Sequence, residues 1–534
     1  MRLELLLSLL TAFLVSFSFP PFQFGFLAYW GLVPFFYILE EKNLKEAFRW
    51  GYLTGLFISV ATVYWINFVT VPGALATILI HPLYYSLYAM IHVFLRQRLG
   101  RKFVIAIPFV WTGIEYLKSL GELGFPWISL GYTQTQYLLL IQFASYTSVF
   151  GVSFWLVVIN VLIYLILKNL EDRVKVAFFL TGIVLLFVLP WMYGRHVMPR
   201  QEEFKDDLRV AVVQGNIDPY MKWEKGNENL SYDIYEKLSR AAARENLDLI
   251  VWPETASPKF LLLNYKYLTR IHNFVDEIDT PLITGTPDAR FISKNEYKTY
   301  NSVVMISPHS SRIPKYAKMQ LVPFGERVPY EDSIPIFKEF IQKLEMGQGN
   351  FSPGDKVVVF DLPLKDHVAT DKQGAVTNGT SARVHNPRLT GTVPVASVIC
   401  FESIFPDLVR KFVQQGARLV TVITNDAWFG RDHFPWWLNA GLYQHAQMSV
   451  FRAIENRISI ARCANTGVSM FIDPYGRVKG RSPLFEEAYL TASLPLRRET
   501  SFFTRHGNIF TQVVSGLGVL LLPVAFLFGK RDAV

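Results

Sequence analysis

The chain has 534 residues, of which 51% are hydrophobic, 15% aromatic and 18% charged. Soluble domains carry roughly a quarter charged residues, so this composition excludes disorder, a collagen-like chain and an ordinary soluble enzyme. Fifty-three Lys+Arg against 44 Asp+Glu give a formal charge of +9, an excess that in so apolar a chain reflects loop anchoring at a membrane face rather than nucleic-acid binding.

From residue 1 to about 193 apolar stretches follow one another, each near the ~20 residues needed to cross a ~30 Å hydrocarbon layer. Spans are expected near 2–19, 25–40, 47–69, 74–95, 103–118, 148–168 and 175–193, with another at 507–528. Arg2 ahead of an apolar run suits a signal peptide, but no small-residue cleavage site precedes Phe19-Pro20-Pro21-Phe22, so the stretch is kept as a span. Lys42, Lys45 and Arg49 follow the second span, Arg96, Arg98, Arg101 and Lys102 the fourth, Lys168, Arg173 and Lys175 the sixth, and Lys530 and Arg531 the last. Every second connection is therefore basic, while 20–24 and 70–73 carry no Lys or Arg. The basic side is expected to be cytoplasmic, which puts the polar region from about 200 to 499 on the opposite face, the periplasm in a bacterium. Segment 119–147, with Gly124-Phe125-Pro126-Trp127-Ile128-Ser129-Leu130-Gly131-Tyr132, reads either as an interfacial aromatic belt or as a re-entrant lip on a substrate entrance.

Beyond residue 207 short β-rich runs alternate with polar helical stretches. Strands are expected at 208–214, 247–252, 281–284, 301–306, 357–362, 395–400 and 418–424, and helices at 229–245, 406–415 and 439–456. Such alternation predicts an α/β domain with sheets covered by helices.

Three constellations in this half carry chemistry. Val251-Trp252-Pro253-Glu254 puts an acid directly after a buried strand, where a carboxylate projects into the crevice that ligands use and apolar neighbours raise it toward a general base's range. In Lys318-Met319-Gln320-Leu321-Val322-Pro323-Phe324-Gly325-Glu326 a Lys precedes a Pro/Gly turn with an apolar run that draws it inward, suited to stabilising a thiolate or an oxyanion. Ala396-Ser397-Val398-Ile399-Cys400-Phe401-Glu402-Ser403 ends a strand just before a helix, where backbone N–H groups would lower the thiol's pKa. Each also has an ordinary explanation: a solvated loop Glu, a surface Lys beside a turn, a packed Cys. For Cys463, in Arg462-Cys463-Ala464-Asn465-Thr466-Gly467, the packed and inert reading is preferred.

In the order Glu, Lys, Cys, these constellations resemble the catalytic set of the nitrilase (carbon–nitrogen hydrolase) superfamily. Val213-Gln214-Gly215-Asn216-Ile217, Trp252-Pro253-Glu254-Thr255-Ala256, Ile399-Cys400-Phe401-Glu402 and Asn425-Asp426-Ala427-Trp428-Phe429-Gly430 sharpen the match. With the multispan N-terminal region and the terminal span, nearly the whole chain resembles the bacterial apolipoprotein N-acyltransferase family. The resemblance implies a multispan α-helical membrane domain (1–195, about seven helices), a periplasmic nitrilase-like αββα sandwich (205–498) and a C-terminal transmembrane helix (507–528). It implies an inner-membrane enzyme, with a monomer expected, that moves a fatty acyl chain from a phospholipid to the α-amino group of a diacylglyceryl-Cys apolipoprotein. Carried over, Glu254 would be the base, Lys318 the cationic stabiliser and Cys400 the nucleophile. Glu326 and Glu402 would support the site, and Trp127, Trp223, Phe401, Asn425 and Trp428 would meet substrate. The polar stretch 365–394 is longer than the connection expected there and reads as a surface loop. No metal-ligand cluster or nucleotide-binding Gly-rich loop is present in the sequence, so no metal or cofactor and no nucleic-acid partner is expected. The alternatives are a membrane-tethered amidase or nitrilase using the same triad, and a transporter or receptor with a dead outer domain. Against the last, Glu115 is the main charge inside spans two to seven.

Overall fold

The computed structural model describes residues 1–199, 208–224, 226–293, 296–331, 333, 350–364, 391–496 and 499–529. Most of the 365–394 stretch, together with Lys530 and Arg531, lies outside them.

The N-terminal half is helical: α1 (Arg2–Phe17), α2 (Val33–Leu39), α3 (Leu44–Val63), α4 (Val71–Ile80), α5 (Pro82–Leu99), α6 (Ile107–Leu117), α7 (Ala144–Lys168) and α8 (Arg173–Val197). Among the described residues five helical stretches are long and apolar enough to cross a membrane: Leu44–Phe68, Val71–Ile105, Ala144–Lys168, Arg173–Val197 and Ile509–Phe528. The stretch expected at 25–40 is broken into a 3-10 turn (Gly25–Tyr29) and the seven-residue α2, and α6 has eleven residues. Pro82 opens α5 directly after α4, where its missing N–H and fixed φ suit a first helical turn.

Helix α3 starts at an Asn43–Glu46 capping box, in which two unpaired backbone donors are satisfied reciprocally. It packs on α5 through Gly51 and Gly55, four residues apart. A Cβ at Gly51 would lie 2.7 Å from both the Ser86 Cα and the Tyr85 carbonyl oxygen. Small residues at this spacing let helix backbones meet in a membrane, where dispersion rather than hydrophobicity drives association.

Segment 119–147 is buried over much of its length, unlike a belt exposed at a lipid interface. It folds into three short 3-10 turns, Pro126–Ile128, Leu130–Gln134 and Leu138–Leu140, and the first two are buried. Glu115 on α6 holds it, accepting from the Leu130 N–H (2.9 Å) and the Trp111 indole (3.0 Å). Both bonds fall on Oε1, while Oε2 is buried with no hydrogen-bond partner among the described residues. Composition alone does not tell this plug from an aromatic belt, because the same Trp, Phe and Tyr serve both.

Among the described residues the second half forms two six-stranded sheets. The first has the order β12 (Ala488–Leu494), β1 (Leu208–Gln214), β2 (Leu249–Val251), β3 (Leu282–Phe291), β4 (Tyr297–Ile306), β5 (Lys315–Ala317). The second runs β11 (Val478–Arg481), β10 (Met470–Ile472), β9 (Ser459–Ala464), β8 (Leu419–Thr424), β7 (Thr392–Ile399), β6 (Val359–Pro363). Strands β1, β2 and β3 pair in parallel, as do β7, β8 and β9.

Side-chain alternation builds the layers. Val210, Val212, Leu249, Val251 and Ile283 face one apolar core, whereas Ala211, Val213, Ile250, Trp252 and Leu282 face helices α9 (Glu228–Ala243) and α10 (Tyr265–Ile278) in another. Cys463 on β9 donates to the Val213 and Val251 carbonyls at 3.3 and 3.2 Å, tying one sheet to the other. Burial pushes its thiol well up, as the inert reading expects. The architecture is an αββα sandwich.

Helices α11 (Pro406–Gln414) and α12 (Ala440–Asn456) cover the second sheet, and one continuous core joins α12 to the membrane half. Along α12, Gln444 accepts from the Trp65 and Trp127 indoles (3.1 and 2.9 Å), while Glu455 accepts from the Val149 N–H (2.9 Å). After the second sheet come α13 (Phe502–His506) and the terminal helix α14 (Ile509–Phe528).

Replacing Gly51 by Leu is expected to destabilise the α3–α5 contact by about 1–3 kcal/mol through overpacking, read as a lowered thermal midpoint of the detergent-solubilised protein.

Candidate active site

The acid is positioned by β2 and a strained turn. Trp252 N–H donates to Ile283 O at 2.8 Å, and the chain turns at Pro253-Glu254-Thr255, where Thr255 takes φ 48. Gly285 on β3 permits that turn, because a Cβ there would lie 2.5 Å from the Thr255 nitrogen and 2.7 Å from Glu254 Cα. Cys400 ends β7 at φ 51, in the left-handed region. Such a conformation in a non-glycine residue costs on the order of 1–3 kcal/mol and persists only where its surroundings over-determine it. Here Glu402 spans the turn, accepting from Ile399 N–H at 2.8 Å, while Ser403 Oγ donates to the Cys400 carbonyl at 2.8 Å.

Lys318 follows β5, its N–H bonded to Asn301 O at 2.8 Å. Its buried Nζ lies 2.8 Å from Glu326 and 3.5 Å from Glu254. Burial works to lower the lysine's pKa, but Glu326 and Glu254 outweigh it and leave the group raised and charged. Glu254 accepts from the Asn301 side chain (2.7 Å) and the Asn425 N–H (2.9 Å), and Asn301 also donates to Glu326 (2.9 Å). The fold thus gathers Glu254, Lys318 and Glu326 around Asn301, within electrostatic reach of Cys400.

The thiol differs from its sequence expectation. Burial first, and then Glu254, push the Cys400 pKa well up, with Lys318 opposing. The nucleophile-type turn therefore holds a protonated thiol beside a carboxylate. Burial also raises Glu402, which accepts from Tyr316 OH (2.6 Å) and the Met319 N–H (2.7 Å) and so locks the Lys318 loop to the Cys400 turn.

The other residues singled out from sequence are spread around this centre. Phe401 stacks with Phe125 at 6.4 Å and meets Phe405 edge-on at 5.2 Å. The Asn425 side-chain oxygen accepts from Asn465 at 3.1 Å. Trp428 meets Tyr220 edge-on at 5.5 Å. Trp223 is exposed, in the 3-10 turn Met221–Trp223. Trp127 is fully buried on the membrane side and stacks on His445 at 5.3 Å, so it meets the site through that imidazole.

Asn301, His445, Asp426 and Lys222 are missed by sequence reasoning. Asp426 adjoins Asn425 in a quoted segment, which was the available signal. Asn301 and His445 sit inside a strand and a helix with none. Lys222 is buried, donates to Thr255 Oγ1 at 3.0 Å, and is brought down to about 7 by burial, against Glu254. Cys400, Asp426 and His445 place candidate metal-ligand atoms within 4.8 Å of one another. Asp426 and His445 are already bonded to each other and to Arg462, so that donor set is committed without an ion.

Two facing sheets between helices, with Glu, Lys and Cys converging from three strand ends, define the carbon–nitrogen hydrolase class, and that family's profile matches residues 209–502. The profile of the apolipoprotein N-acyltransferase N-terminal domain matches residues 11–162. Similar proteins include the apolipoprotein N-acyltransferase of Geobacter metallireducens, 35% identical over 98% of this chain and 96% of that protein. That of Chlorobaculum tepidum is 33% identical over 97% and 96%. An amidase from Nesterenkonia sp. AN1 is a distant structural likeness, 15% identical with a TM-score of 0.38, covering 59% of this chain and 98% of that one. The chain belongs to the apolipoprotein N-acyltransferase family, as a membrane protein with N-acyltransferase activity.

A thiol with a raised pKa alkylates faster as its thiolate fraction grows. Labelling of Cys400 by iodoacetamide is therefore expected to climb with pH and to show no plateau below about pH 9, past the ordinary thiol value of about 8.5. Replacing Asn301 by Ala, which takes a donor from both carboxylates, is expected to lower turnover roughly 10- to 100-fold, measured in steady-state acyl transfer.

Proposed function

We propose that the protein transfers a fatty acyl chain from a phospholipid to the α-amino group of the N-terminal S-diacylglyceryl-Cys of an apolipoprotein, through a thioester on Cys400. The observation that carries this reading is a buried Glu–Lys–Cys cluster roofing a membrane domain, with Phe401 beside the proposed nucleophile stacked on Phe125 of the membrane half.

Glu254 takes the Cys400 proton as the sulfur attacks the ester carbonyl of the phospholipid. The oxyanion is held by the Lys318 ammonium and a backbone N–H. Collapse expels the lysophospholipid, whose alkoxide receives the proton from Glu254, and leaves an S-acyl enzyme. The acceptor's α-amine, with a reference pKa of about 7.7–8.0, is partly neutral near pH 7. It attacks the thioester, Glu254 takes one of its two protons, and that proton returns to the departing sulfur as the amide forms. The scheme is ping-pong.

Water competes at the thioester, so transfer requires an apolar surrounding, which the aromatic packing around Phe401, Phe125 and Trp127 supplies. Burial of acyl chains is worth ~0.8 kcal/mol per CH₂, which favours lateral entry of both lipid substrates from the bilayer. The alternation of basic and cation-free connections supports residues 205–498 on the periplasmic side of the inner membrane.

Mass spectrometry of the Cys400 peptide after exposure to phospholipid is expected to show a fatty-acyl mass that hydroxylamine removes and Cys400→Ala abolishes. No adduct, together with ammonia release from simple amides, would instead establish a hydrolase.

A further inference from the structure

A buried polar chain lies beneath the nucleophile, and the reaction above leaves it without a task. Ser403, Asp426, His445 and Arg462 are all fully buried. Arg462 donates to Asp426 Oδ2 at 2.6 Å and to the Val468 carbonyl at 2.6 Å. Burial alone would raise the Asp426 carboxyl, but Arg462 and His445 outweigh it and hold the group well below the usual carboxylate range. Asp426 Oδ1 meets His445 Nδ1 at 2.8 Å and accepts from Thr424 Oγ1 at 2.6 Å. On the far side of the ring, His445 Nε2 faces Ser403 Oγ at 3.0 Å and the Cys400 carbonyl oxygen at 3.2 Å. Ser403 Oγ lies 2.8 Å from that same carbonyl.

An Nε2–H donates to the Cys400 carbonyl, which also accepts from the Ser403 O–H, while Nδ1 lies between the Asp426 carboxylate and the Arg462 guanidinium, the latter 3.1 Å away. Replacing buried ion pairs by apolar residues of similar volume is often neutral or stabilising, so the use of this chain lies in what it holds, which next to the sulfur is the Cys400 carbonyl. We propose that His445, together with Ser403, is a positioning residue that fixes the peptide plane between Cys400 and Phe401.

This role rests on the acyl-enzyme reading. A peptide is planar and trans, so drawing the Cys400 carbonyl toward Ser403 and His445 sends the Phe401 N–H the opposite way. That N–H is the backbone donor next in the chain after the sulfur, placed to meet the oxyanion opposite Lys318. The same two bonds help keep Cys400 at φ 51. Trp127 stacks on a face of the imidazole, its ring 5.3 Å away and inclined by 29°. The membrane half thereby braces the nucleophile's peptide through a single side chain.

Two reactions of one sulfur separate this role from simple support of the fold. Acylation passes through an oxyanion, whereas alkylation by iodoacetamide does not. Purified full-length protein is mixed with vesicles of phosphatidylethanolamine and phosphatidylglycerol carrying deuterated acyl chains. The Cys400 adduct is timed by intact mass, and alkylation is timed in parallel. His445→Ala is expected to slow acylation roughly 30- to 100-fold, in line with a misaimed oxyanion donor, and alkylation no more than about 3-fold. His445→Gln, whose amide still donates, is expected to recover most of the acylation rate. Ser403→Ala, which removes one donor and little volume, is expected to slow acylation about 10-fold with an unchanged thermal midpoint; it carries the comparison alone if His445→Ala does not fold. Equal slowing of both reactions, or a folded variant that acylates at the wild-type rate, overturns the proposal. A wild-type protein that gains no acyl adduct overturns the acyl-enzyme reading instead.

Discussion

An ammonium out of water between two carboxylates is the constraint on which the catalytic half turns. Lys318 is fully buried, yet Glu326 at 2.8 Å and Glu254 at 3.5 Å keep it charged. Taking such ions out of water costs several kcal/mol each, recovered only when geometry and extra hydrogen bonds are good. Asn301 supplies those bonds, dividing its amide between the carboxylates, and the Asn425 and Val322 N–H groups take the remaining oxygens. One positive charge against two negative ones leaves a surplus that disfavours a thiolate at rest. Burial is the larger cause of the raised Cys400 thiol and Glu254 adds to it, which suits a proposed chemistry in which the proton leaves only as sulfur attacks.

Strain and its support are matched in the same place. Thr255, next to Glu254, and Cys400 itself both adopt positive φ, at the two groups proposed to exchange that proton. The Thr255 turn is held by the distant Gly285 and Lys222, the Cys400 turn by its near neighbours Glu402 and Ser403. Glu402 has the widest reach, because its two oxygens bond the Cys400 turn on one side and the Lys318 loop with Tyr316 on the other. A change there would move cation and sulfur together.

The two halves share a helix rather than a hinge. Along α12 a buried row of Gln444, His445, Arg452 and Glu455 faces the membrane helices and the second sheet at once. Arg452 donates to the Ile404 carbonyl just beyond the Cys400 turn and to Tyr132 of the plug segment. A lipid entering from the side would meet a catalytic centre already braced by the membrane domain.

Local chemistry is legible from the residues in order. Glu254, Lys318 and Cys400 stand beside Pro, Gly or strand-end signals within a few residues, and the strand at 208–214 and the helices at 229–245, 406–415 and 439–456 announce themselves by periodicity. Strands β9 to β12 and helix α10 gave weaker patterns, because their partners are supplied by distant segments, as in the Leu208↔Leu494 pairing of β1 with β12. Asn301, Ser403 and His445 were illegible for a related reason: an Asn in a strand or a His in a helix is ordinary until a residue 40 or more positions away is placed against it. Segment 119–147 shows the limit most clearly. Its aromatic, Gly- and Pro-rich composition suits a lipid interface, and only the descent of the catalytic domain onto it turned that surface into interior. Composition and spacing fix which groups are available and how the chain bends nearby; burial and the pairing of charges arise when distant segments exclude water together, and tertiary structure alone decides that.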